Sequence, residues 1–115
     1  MKVYLFLSAL ILSSSVNVFA ASHYSVVTSV GAYNSQWGVF NIETPIPSEN
    51  VLPGGCTVRR STISFDKSTP HGRDMLSIIL TAFSTGKKSH IQYFTSTCGA
   101  DDIYPLANRV DVLRD

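Results

Sequence analysis

The period of polar and apolar positions changes several times along this chain, and each change marks an element. Residues 3–12 are almost continuously apolar behind Lys2. Residues 22–30 mix β-branched with polar side chains and predict a first strand or extended arm. Gly31, Ala32, Tyr33, Asn34 and Ser35 read as a turn. Residues 37–43 then alternate as a strand, with Val39 and Asn41 on one face and Phe40 and Ile42 on the other. Three prolines and two glycines make residues 45–55 a loop. Residues 56–65 alternate again: Cys56, Val58 and Arg60 face one way, Thr57, Arg59 and Ser61 the other. Ile63 and Phe65 near its end suggest a bulge or a switch of face.

One helix follows, and its signals agree with each other. Thr69 suits the N-cap and Pro70 the first turn. Met75, Ile78, Ile79, Ala82 and Phe83 recur at i, i+3, i+4, i+7 and i+8, a core-facing stripe that Leu76 and Leu80 widen. Gly86 stands where a left-handed C′ glycine ends a helix, and Lys87 and Lys88 complement the negative helix end. Gly72 weakens the first turn and moves the expected start toward Arg73.

Beyond the helix, residues 89–95 read as a strand, with His90, Gln92 and Phe94 on one face and Ile91, Tyr93 and Thr95 on the other. Residues 99–102 form a turn, and Pro105 makes the segment before it an edge or loop. Residues 109–113 predict a last strand with Val110 and Val112 on one face. Strands, one helix, then two strands do not make a βαβ alternation, so a parallel sheet is not expected. The expected fold is mainly β with one helix, an OB-fold-like small antiparallel barrel.

Composition refines this picture. The 115 residues carry nine Lys and Arg against eight Asp and Glu, for a net charge of +1. With no basic stripe, nucleic acid is not an expected partner. Lys2, the apolar stretch 3–12 and Val18-Phe19-Ala20 match the three regions of a secretory signal peptide, so residues 1–20 are read as a signal cut after Ala20. Residues 21–115 are then one domain, secreted or periplasmic, with no membrane insertion expected. In an oxidising compartment Cys56 and Cys98, the only two cysteines, are expected to close a disulfide. Its loop of about forty residues is worth ~3–4 kcal/mol on the chain-entropy model. There is no C-x-x-C, and His23, His71 and His90 are scattered, so neither a metal nor another cofactor is expected.

Residues 80–94, with the glycine at Gly86 and the Tyr104-Pro105 pair further on, carry a resemblance. Helix end, glycine, strand and Tyr-Pro together resemble B subunits of pentameric bacterial toxins of the subtilase-cytotoxin and pertussis-like type. The resemblance implies a secreted OB-fold domain that assembles as a homopentamer. It also implies binding to cell-surface glycans, sialylated ones among them, and carriage of a catalytic A subunit. It covers about a quarter of the mature chain well, and the rest only by element order. Members of that family often carry more cysteines at other spacings and run on beyond where this chain stops.

Candidate chemistry follows from both lines. By its spacing from Gly86, Tyr93 matches a glycan-site tyrosine of the resembled family, and a sugar stacks its C–H face on such a ring. Ser35, Tyr33 and Trp37 lie at the entry to the strand bordering that site. Trp37 is equally suited to anchoring the small core. Arg59 is placed to pair with a glycan carboxylate. Catalytic signals are weak. There is no G-x-S-x-G elbow, and the Ser84–Ser89 stretch lacks the early glycine of a phosphate loop. The chain is therefore expected to be a binding protein and not an enzyme. The alternative is a small secreted or periplasmic protein-binding or inhibitor module.

Overall fold

The computed structural model describes residues 20–47 and 59–114. The chain is mainly β with one helix, and its five strands close into a ring, as the sequence predicts. Strand β1 is Ala20–Ala32, β2 Trp37–Ile42, β3 Thr62–Asp66, β4 Lys88–Cys98 and β5 Pro105–Val112. Among the described residues the one α-helix, α1, is Pro70–Thr85 and connects β3 to β4. Around the ring the order is β1, β2, β3, β5, β4 and back to β1. Every pairing is antiparallel except β3 with β5, a parallel contact at Ser64 and Leu106.

Two single-residue bulges bend this ring. Between Val27 and Ser29 the register of β1 against β2 shifts, which leaves Thr28 as a bulge. A bulge exchanges the faces of the residues beyond it. Accordingly His23, Ser25 and Val27 are buried before the shift, whereas Val30 packs on the core after it. The same device operates in β5, where Asn108 is the extra residue between Ala107 and Arg109 and lets both Ala107 and Val110 point inward. His71 Nε2 lies 2.7 Å from the Asn108 carbonyl oxygen, so the bulged backbone is not left without a partner.

The core holds Phe40, Ile42, Ile63, Phe65, Ile79, Ile91, Tyr93 and Val110, roofed by α1 through Met75, Ile79 and Ala82. The helix ends as its sequence signals require. Thr69 Oγ1 accepts the Gly72 N–H at 3.0 Å, and Gly86 takes a left-handed φ of 68° while its N–H reaches the Ala82 carbonyl. The helix starts at Pro70 rather than near Arg73. The reason is packing: a Cβ on Gly72 would collide with the Asp66 carbonyl, so glycine allows the first turn to sit against the end of β3.

Other expectations need correction. Arg59 and Arg60 lie ahead of β3, which begins at Thr62, so they do not share a strand. Arg60 Nη1 instead donates to the Ile46 carbonyl at 3.0 Å and ties this approach to the end of the β2 segment. The last strand is longer than expected, starting at Pro105, whose missing N–H is harmless at the first position of a strand. Residues 48–58, including Cys56, lie outside the described residues. Among the described residues no helix is long and apolar enough to cross a membrane.

Candidate functional site

The expected site residues separate. Tyr93 is fully buried in the barrel core. A stacking platform needs an exposed ring face, and Tyr93 has none, so its role is packing. The alternation had grouped it correctly with Ile91, which is also fully buried, but it could not tell which face points inward. Arg59 is exposed, but it precedes the end of β3 that pairs with Asn41, whereas Trp37 pairs with Asp66 at the other end. No sugar bound at Trp37 is thereby offered the Arg59 guanidinium.

Tyr33, Ser35 and Trp37 do come together, in the turn between β1 and β2. Asn34 organises this turn: its side-chain oxygen accepts the N–H of Gln36 at 2.9 Å and of Trp37 at 2.8 Å. The N–H groups of Tyr33 and Asn34 return to the Trp37 carbonyl. This is the local satisfaction that makes Asn a turn residue. It leaves Ser35 and Gln36 exposed at the tip, Tyr33 39% exposed and Trp37 half-buried.

The connection between β4 and β5 completes the corner. The Tyr33 hydroxyl donates to Asp101 Oδ2, and the Tyr33 ring meets Tyr104 edge-on with centroids 5.6 Å apart at 69°. The phenol is held above its ordinary pKa, first by its hydrogen bond to Asp101, next by desolvation, and then by the Asp101 negative charge. Asp101 and Asp102 both adopt left-handed φ, at 52° and 56°. For a non-glycine residue that conformation costs about 1–3 kcal/mol, and it persists only where the surroundings enforce it. The enforcement is visible. Buried Ser64 Oγ donates to the Pro105 carbonyl at 2.9 Å and accepts the Ala100 N–H at 3.2 Å. Gly99 packs so closely there that a Cβ would collide with Ser64 Oγ. Cys98, immediately before, is half-buried against the core.

A third carboxylate borders the same end of the barrel. Asp66 accepts from Gln36 Nε2 at 3.2 Å and from the Ser68 N–H and hydroxyl. The Ser68 hydroxyl is the main cause that holds Asp66 below the usual carboxylate range, with burial opposing it and the Ser68 N–H and Gln36 adding to it. Asp66 also lines a cleft of about 190 Å³ with Thr69, His71, Met75, Phe94 and Asn108. Among the described residues no three His, Cys, Asp or Glu side chains cluster as a metal site would require.

What this corner offers is two aromatic edges, one fixed carboxylate and adaptable amide and hydroxyl groups on an open surface. Sequence reasoning reached Tyr33, Ser35 and Trp37, but it treated Asp101 as a plain turn residue and Tyr104 only as part of a pattern. The left-handed pair was not visible in the residue types. No protein-family model, curated protein or solved structure matches the chain.

Proposed function

We propose that this protein is a secreted glycan-binding module of the toxin B-subunit type, whose sugar site is the Tyr33–Asp101–Tyr104 corner with Ser35 and Trp37. The observation that carries the reading is the Tyr33–Asp101 hydrogen bond with Tyr104 set edge-on behind it, on a surface built from two separate connections. Sugars present C–H faces to aromatic rings and hydroxyls to carboxylates and amides, and this corner presents both partners. The charges fixed here are the carboxylates of Asp101 and Asp66, so hydroxyls rather than a sugar carboxylate are the groups recognised. Neutral glycans are therefore favoured over sialylated ones.

Cleavage after Ala20, a Cys56–Cys98 disulfide, ring assembly and carriage of an A subunit belong to the same proposal. Assembly as a homopentamer gives weak single sites their avidity, which reaches about 10²–10⁴-fold in multivalent systems. Leu80 and Phe83 support it, since both are nearly half exposed on the flank of α1 that Leu76 begins, at i, i+4 and i+7. The same flank supports the alternative, a module that docks one protein partner through α1.

Light scattering on the oxidised, signal-free protein, followed by a glycan array, separates the two. A mass near five protomers with array signal that Tyr33→Ala and Asp101→Ala abolish is expected. A monomer without glycan signal that holds one protein partner replaces this reading with the alternative.

A further inference from the structure

The outer face of the sheet carries a constellation that the glycan reading does not use. Val26 gives its carbonyl to Glu43, and Lys88 gives its carbonyl to Leu113, so both turn their backbone polar groups away from the β1–β4 seam. Val26 and Lys88 face each other across that seam as a non-hydrogen-bonded pair. Two residues along, Tyr24 and His90 form the next such pair, the kind in which side chains lie closest. Their rings stack with centroids 4.9 Å apart and 30° between planes. Ser22 is two residues further along β1 on the same outer face, within diagonal reach of His90. His90 also stands directly opposite Asp111 across the β4–β5 seam.

Register alone therefore brings a serine, a histidine and an aspartate from three adjacent strands together. The distances bear this out. Ser22 Oγ lies 3.0 Å from His90 Nε2, and His90 Nδ1 lies 3.4 Å from Asp111 Oδ2. Arg109 Nε holds the same Asp111 oxygen at 3.0 Å and fixes its direction. Nε2 accepts the Ser22 proton when Nδ1 carries the ring hydrogen, and the facing carboxylate favours that tautomer. Ser22 is exposed, His90 half-buried and stacked under Tyr24, and Asp111 half-buried.

We propose that Ser22 is an activated nucleophile, with His90 as its general base and Asp111 as the residue that positions His90, acting on small, sterically open acyl esters. Ser22 Oγ attacks the ester carbonyl carbon while its proton passes to His90 Nε2. The ester C–O bond breaks, and His90 returns that proton to the departing alkoxide. Water then attacks acyl-Ser22, again losing a proton to His90. The carboxylic acid leaves and the serine hydroxyl is restored. Catalysis then rests on the nucleophile and its base, and an open face supports modest rates and no selectivity for a large acyl group.

The test uses the oxidised, signal-free protein with a fluorophosphonate, which places a phosphoryl group on an activated serine as fluoride leaves. One adduct is expected, mapping to Ser22. It should be absent in Ser22→Ala and form at least about 100-fold more slowly in His90→Gln, in line with the usual contribution of a general base. Asp111→Asn should slow labelling while Asp111→Glu restores part of it, which a merely structural role would not do. Hydrolysis of p-nitrophenyl acetate should follow the same order. Circular dichroism confirms that each outer-face variant remains folded. Absence of an adduct, an adduct elsewhere, or Ser22 labelling unchanged in His90→Gln overturns the proposal. Tyr33→Ala should leave labelling intact, so this inference and the glycan reading fail separately.

Discussion

Ser64 Oγ joins Pro105 across the one parallel contact of the ring, donating to its carbonyl at 2.9 Å while accepting the Ala100 N–H. One buried hydroxyl thus closes the ring and shapes the connection that carries Asp101. Ser64→Ala leaves a buried donor and a buried acceptor without their partner. The expected loss is about 1–3 kcal/mol in urea unfolding. An unchanged midpoint would show that the contact contributes nothing to closure.

Gly72→Ala tests packing against propensity. Alanine in a helix is favoured over glycine by ~1 kcal/mol. At this position its Cβ meets the Asp66 backbone carbonyl, which cannot rotate away. Net destabilisation is expected, together with a helix start displaced toward Arg73. A stabilised Gly72→Ala would mean that α1 does not rest on the end of β3.

Tyr93→Ala empties a fully buried site in the core cluster. Truncating a buried aromatic ring costs about 3–5 kcal/mol. Broad loss of folded signal is therefore expected, rather than a folded protein that has lost a ligand. Thermal melting followed by near-ultraviolet circular dichroism distinguishes these outcomes.

The phenol of Tyr33 should ionise above the ordinary tyrosine range. Its pKa is raised in the folded state, so the Tyr33–Asp101 interaction is intact below the ordinary tyrosine range and is lost as pH rises through the higher folded value. Ultraviolet titration should show a late phenolate step that Asp101→Asn shifts downward and Tyr33→Phe removes. A Tyr33 phenol that titrates in the ordinary tyrosine range would argue against the hydrogen bond in solution.

Asp66 should act in the opposite sense. Its folded pKa is lowered, so its contribution is present above the unfolded carboxylate value and lost as pH falls through the folded one. The turn that leads into α1 should loosen in that acid window. Asp66→Asn should weaken the fold at neutral pH and flatten its acid dependence, as read from urea midpoints across pH.

Much of this fold was legible because several signals coincide on the same residues. Thr69, Pro70 and Gly86 frame a helical period, and Phe40 and Ile42 alternate with more polar neighbours. The bulges at Thr28 and Asn108 were not legible, since one additional residue exchanges faces without any signature of its own. Strand β4 was hard for a different reason: Phe94 makes its outer face nearly as apolar as the inner face bearing Tyr93, so alternation cannot assign inside and outside. The site suffered most. Tyr33 and Asp101 are 68 positions apart, and nothing in local pattern couples them. Ser22, His90 and Asp111 meet only once the register of three strands is fixed.

Thr28 makes β1 a single ribbon with two opposite handednesses of burial, odd positions inward before it and even positions inward after it. Removing that one residue would force a choice between the two neighbours of β1. If the pairing with β2 were kept, His23 and Ser25 would turn to solvent, while Ser22, Tyr24 and Val26 would be driven into the core. If the pairing with β4 were kept, Val30 would leave the core and the Tyr33 turn would swing away from Asp101. The length of this strand, more than any side chain on it, therefore keeps the two outer surfaces of the protein in their places.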